Sequence, residues 1–197
     1  MNVENSSIAG YLSPTTQYPE DDTELDHIMH DLFTALASIH PTLVRPRWQN
    51  VPGNMPQINT EWIAHGVIDK RDDLIPSQWF VPDEGMHIQY SQEFDVLVSF
   101  YGDRASWLAG LTRDGLALDQ NRWALTEKEI FFLSASAAKT VPVKLNERFY
   151  KKVDVTFTFR RSISRIYPVL TILSAEADIH FDAQDHEITT HVVINSQ

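Results

Sequence analysis

The chain has 197 residues, 43% of them hydrophobic, enough to bury one core of ordinary domain size. Its 27 Asp and Glu against 16 Lys and Arg leave a formal net charge of -11, which as a whole repels nucleic acid and anionic membranes, so a grip on DNA would need a local basic patch. The absence of cysteine excludes a disulfide framework, a thiol nucleophile and a thiolate metal site, and with neither a long apolar run nor an apolar leader the expectation is a chain kept in the cytosol of its maker.

Residues 1–20 lack hydrophobic periodicity and are rich in turn formers (Asn5-Ser6-Ser7, Ser13-Pro14-Thr15-Thr16, Pro19). They are expected to be a flexible N-terminal arm, ordered by a partner or simply loose, ahead of a single domain over 21–197. From there Asp22 or Thr23 can cap a helix whose apolar residues, Leu25, Ile28, Met29, Leu32, Leu36 and Ile39, recur at helical spacing until Pro41. Short extended pieces follow around 44–49 and 61–69, with a Pro/Gly/Asn loop at 51–56 between them. Met86, Ile88, Tyr90, Phe94, Val96, Val98 and Phe100 then hold alternate positions, the period of a long half-buried strand in which Gln92 is the one polar break.

Gly102-Asp103 ends that strand and Asp103 can cap a second amphipathic helix carrying Trp107, Leu108, Leu111, Gly115 and Leu118, with Trp107 read as core. A shorter helical piece is expected over 121–128. Phe149, Val153, Val155, Phe157 and Phe159 alternate with polar residues along another long strand, and the β-branched runs on either side of Asp182-Ala183-Gln184-Asp185 predict a hairpin. The fold expected is α+β: one mixed, mostly antiparallel β-sheet with two main α-helices and long projecting strands. Strands this long exceed the usual length of about five or six residues. Something must cover their excess, and neighbouring subunits are the simplest cover.

No catalytic pattern stands out. His27 and His30 share a helix face at a metal-capable spacing, but no third ligand accompanies them, and a His at the polar edge of an amphipathic helix is ordinary. The remaining histidines are scattered, no nucleophile elbow is present, and seven glycines placed as these are build no phosphate loop. No cofactor or metal is expected. Basic residues cluster once, at Arg148, Lys151, Lys152, Arg160, Arg161 and Arg165, where alternation puts Lys152 and Arg160 on one face and Arg161 and Arg165 on the other. They suit either a phosphate-contacting stripe or salt bridges to an acidic neighbour, and the acidity of the chain favours the second. Trp48, Trp79, Phe80 and Trp123 lie beside loops or proline breaks and are candidate interface anchors, with Arg161 and Arg165 beside them. Glu93 and Asp95 share a strand face and are candidate channel-facing acids.

At Gly10-Tyr11-Leu12-Ser13-Pro14, Leu43-Val44-Arg45-Pro46-Arg47-Trp48-Gln49, Val98-Ser99-Phe100-Tyr101-Gly102, Leu111-Thr112-Arg113-Asp114-Gly115-Leu116, Gln120-Asn121-Arg122 and Tyr167-Pro168-Val169-Leu170 the chain resembles phage and prophage neck terminator, or LIC-type neck, proteins from about residue 8 to about residue 182. The order of elements is also similar to that of the tail terminators of long-tailed phages. The resemblance implies a virion protein assembled in the host cytoplasm into a ring, of six copies as in the tail terminators, at the head-proximal end of the tail. Its implied partners are further copies of itself, the tail-tube protein, head-tail connector or collar proteins and the sheath protein of tails that have one. DNA would pass its channel without specific binding. No catalytic residue comes with the resemblance. The alternatives are a connector or collar ring of the neck, and a small α+β enzyme or ligand-binding domain with His65 or His87 in a pocket.

Overall fold

The structure, a computed structural model, describes residues 11–19, 23–48, 56, 60–145, 148–169, 174–183 and 186–195. Along the chain run β1 (Thr16–Tyr18), α1 (Thr23–Ala37), a 3-10 turn (Pro41–Leu43), β2 (Val44–Pro46), β3 (Trp62–Asp72), β4 (Ser77–Val81), β5 (Gly85–Tyr101), α2 (Ala105–Ala117), α3 (Asp119–Thr126), β6 (Ile130–Ala135), β7 (Lys139–Leu145), β8 (Arg148–Tyr167), β9 (Ser174–Ala183) and β10 (His186–Asn195). The expected α+β class holds: an eight-stranded, mostly antiparallel sheet, mixed because β2 and β3 run parallel, carries the helices, while β9 and β10 form a separate antiparallel pair. That pair is the hairpin expected around 182–185; residues 184–185, and most of the loop expected at 51–56, lie outside the described residues.

Two long strands form the spine. β5 and β8 pair antiparallel from Met86↔Tyr167 to Tyr101↔Lys152, and the alternation seen in the sequence sets their faces: Phe94, Val96, Val98 and Phe100 stand opposite Phe159, Phe157, Val155 and Val153. All eight are buried, together with Leu25, Met29, Phe33 and Leu36 of α1 and Leu108 and Leu116 of α2, so both helices cover one face of the sheet. Aromatic rings meet within this layer, Phe94 with Phe159 at 5.5 Å and Phe33 with Phe157 at 5.6 Å between centroids. α1 ends where Ser38 turns to a positive φ of 51°, two residues short of the reach of the apolar pattern.

Four expectations need correction. Trp107 is 54% exposed, because the buried stripe of α2 falls on Ala105, Leu108, Ala109, Thr112 and Leu116; the Arg104 guanidinium lies 5.0 Å from its ring centre. The residue before α2 is Arg104 rather than Asp103, and it makes no side-chain cap. Part of the expected arm is a strand: Thr16–Tyr18 pairs with Ser164–Ile166 of β8, while residues 1–10 lie outside the described residues. The edges of the long strands are covered from within the chain: β3 and β4 line one side of β5, and β7, β6 and β1 line the outer side of β8 in turn. Short strands placed end to end satisfy the backbone groups of long ones as well as a neighbouring subunit would.

The polar break at Gln92 also finds its reason. Its register partner on β8 is Arg161, whose Nε donates to Gln92 Oε1 at 2.9 Å, and Gln92 Nε2 donates in turn to Asp72 Oδ1 at 2.6 Å. Beyond this row the spine leaves the helices and projects as an arm made of β4 and the ends of β5, β8 and β1. The β4–β5 turn needs Gly85, at φ 114°: a Cβ there would overlap the Tyr167 carbonyl oxygen.

Two outcomes test this core. Gly85→Ala should cost about 2 kcal/mol through strain and overlap, read as a fall of roughly 4–8 °C in thermal midpoint for a domain of this size. His65, fully buried against Phe33 with neither ring nitrogen hydrogen-bonded, has its pKa pushed down to about 4 by burial, with His30 and Arg47 adding repulsion. Between that value and about 6.5 the unfolded chain binds the extra proton, so stability falls as pH drops through this window, by up to roughly 3 kcal/mol. Denaturant titrations at pH 7.5 and 5.0 should show a smaller acid-side loss in His65→Leu than in the unaltered chain; an equal loss would remove His65 as its source.

Candidate functional site

The arm carries the most concentrated exposed apolar surface. Asp73 to Pro76 turn the chain from β3 into β4, leaving Leu74 99% and Ile75 87% exposed. Trp79 and Phe80 follow on β4, on opposite faces because they are adjacent, and both are exposed. Trp79 stacks on its cross-strand partner His87 at 5.2 Å, which fixes the indole against the arm. Asp72, Asp73, Asp83 and Glu84 rim this surface. Asp73 accepts from the Ser91 N–H at 3.1 Å, and Glu84 Oε2 lies 2.9 Å from His87 Nε2. Arg165 belongs to the same arm, where its Nη1 donates to Tyr90 Oη at 2.6 Å and its guanidinium lies over the Tyr90 ring.

The sheet face turned away from the helices is polar and charge-paired. Arg71 forks onto Asp95 at 2.9 and 3.1 Å and onto Asp69 at 2.6 Å, and Thr158 donates to Asp95 at 2.7 Å. The Arg71 hydrogen bonds hold the Asp95 carboxyl below the usual carboxylate range, against a smaller opposing effect of burial. One row along, Arg160 meets Glu93 at 2.9 Å. Nearer the other end Arg47 donates to Ser99 at 2.6 Å, Ser99 donates to Asp154 at 2.6 Å, and Lys152 lies 2.9 Å from Asp154. Glu93 and Asp95 do share a face, as alternation requires, and each faces a guanidinium.

The other singled-out residues separate. Arg161 is only 2% exposed: its side chain is used inside the chain, over the Phe94 ring and on Gln92, so it is not a surface anchor of this fold. Trp48 is exposed but ordered, its Nε1 donating to the Val67 carbonyl at 3.3 Å above Gly66, where a Cβ would come within 3.2 Å of that nitrogen. With Leu25, Asp26, Val67, Ile68, Asp69 and Lys70 it lines a cavity of about 510 Å³. A second cavity of about 310 Å³ lies between Tyr18, Ile28, Lys128 and Arg161. Neither is lined by His65 or His87: the first is core and the second lies under Trp79. Trp123 is exposed on α3, near in sequence to exposed Leu118. Among the described residues no three His, Asp or Glu gather as a metal ion would require.

Sequence reasoning missed Leu74, Ile75, Phe131 and Leu133, all exposed. Leu74 and Ile75 carried a signal, two large apolar residues between Asp72-Asp73 and Pro76 where a turn would be polar. At the opposite end of the spine the β7–β8 hairpin exposes Lys139, Lys144 and Lys151 beside Val141 and Pro142.

No curated protein matches the chain. The family model of the phage neck terminator protein matches residues 30–185, which include both long strands, α2, α3, the C-terminal half of α1 and the β4–β5 part of the arm. A match over that much of its length shows that the chain belongs to the phage neck terminator protein family.

Proposed function

We propose that the chain is a non-enzymatic structural subunit of the phage neck that assembles into a ring, of six copies by the analogy already drawn, at the head-proximal end of the tail. There it stops growth of the tail tube and presents a surface to connector or collar proteins, and to the sheath where a tail has one. The family match supports a neck role. The observation that carries the ring reading is the projecting arm, which bears Leu74, Ile75, Trp79 and Phe80 beyond the reach of its own core. Exposed apolar side chains carried on one projecting element, with carboxylates at both ends of β4, are what a protein interface uses.

DNA passes such a ring on its way out of the head. The sheet face bearing Glu93 and Asp95 suits a channel wall, since its guanidiniums are already held by carboxylates and offer a sliding duplex few free phosphate contacts. Glu93→Lys would leave Arg160 unmatched and add a cation beside it, and should slow DNA ejection from assembled particles; unchanged ejection would remove this face from the channel. For the ring itself, light scattering after size exclusion and negative-stain images, alone and with tail tubes, should show a ring or a cap at one tube end. A strict monomer that ignores tubes would overturn the reading.

A further inference from the structure

We infer that the ring junction is heterologous and joins the two ends of the spine: the arm of one copy docks on the β7–β8 hairpin of a second copy. This rests on the ring reading above and names its contact surface. Of the Lys and Arg whose side chains are described, Arg113, Lys139, Lys144 and Lys151 alone are held by no hydrogen bond, ion pair or ring contact. Three of these four stand on one hairpin. On it Lys144 and Lys151 share one face, Lys139 projects from the other, and Val141 and Pro142 are exposed between them.

The arm is the chemical complement. Asp72, Asp73, Asp83 and Glu84 have no Lys or Arg partner among the described residues; Asp72 and Asp73 directly precede Leu74 and Ile75, and Asp83 and Glu84 stand in the turn at the other end of β4. Within one copy the two ends do not meet. The twenty residues of β8 run from hairpin to arm, about 65 Å at the usual rise of about 3.3 Å per residue, far beyond a screening length of about 8 Å. Each end therefore keeps its charge for another molecule.

Charge also selects the orientation. Two copies of a chain with net charge -11 repel, and arm against arm would set carboxylates against carboxylates. Hairpin against hairpin would set lysine against lysine. Only arm against hairpin joins unlike charges around an apolar centre, and a contact between different patches on identical chains repeats until it closes.

The test uses the full chain, in whichever setting the unaltered protein assembles, free or on tube ends. An arm variant, Leu74→Lys with Ile75→Lys, and a hairpin variant, Lys144→Glu with Lys151→Glu, change exposed side chains only; far-UV circular dichroism checks their folding, and Leu74→Ser with Ile75→Ser and Lys144→Gln with Lys151→Gln replace either that fails. Each variant alone should need at least tenfold more protein to assemble. An equal mixture should yield dimers and no rings, because one arm and one hairpin remain intact.

Because the chain lacks cysteine, Ile75→Cys with Lys144→Cys provides a second readout. A short bis-maleimide should link this chain into a ladder of covalent oligomers, while either single cysteine should stay monomeric. Unimpaired assembly of both charge variants, no dimer in the mixture, or a crosslinked dimer from Ile75→Cys alone would overturn the junction and leave the ring reading standing. An unaltered chain that never assembles, free or on tubes, would remove both.

Discussion

The antiparallel pairing of β5 with β8 is the constraint on which the rest of the molecule depends. Over the part that α1 and α2 cover, every second register pair places two apolar side chains on the helix side, so the two strands and two helices share a single core. Because the pairing continues past the helices, the same hydrogen-bond ladder that builds the core also builds the arm. The row of Gln92 and Arg161 marks the change from one to the other. There a guanidinium and an amide are buried and satisfied by each other and by Asp72, which ends the apolar layer without leaving a polar group unmatched.

The edges of so long a pair would be open to uncontrolled strand addition, and the fold closes them with short strands laid end to end. This has a consequence for assembly. With β3 and β4 along one edge of the spine and β7, β6 and β1 along the other, the long strands themselves are already paired.

The charge distribution follows the same division. The open sheet face pairs its acids with Arg71, Arg160 and Lys152, so it presents ordered, nearly neutral rows rather than an acidic field. Among the described residues, three lysines without an ion pair gather at one end of the spine, and Asp72, Asp73, Asp83 and Glu84 stand without a Lys or Arg partner at the other. The net charge read from composition is an average over regions with different tasks.

Much of this was legible in the residues. Period-two alternation identified both spine strands and their buried faces, helical spacing identified α1, and Gln92 stood out as a break because it interrupts a strict pattern. The motifs that carry the family resemblance were legible as well. Trp107 and Arg161 were not. Trp107 lies next to a buried stripe in a short helix, where a shift of about 100° decides between core and solvent, and Arg161 enters the core only because Gln92 and Phe94 on another strand receive it. The pairing of Glu93 and Asp95 with guanidiniums was hidden for the same reason, since cross-strand neighbours are set by register and residues 71 and 95 are distant in the chain. Which faces are apolar could be read along the chain, because periodicity is a local property. Which charges cancel came with the folded strands, because that depends on distances between strands that no local pattern contains.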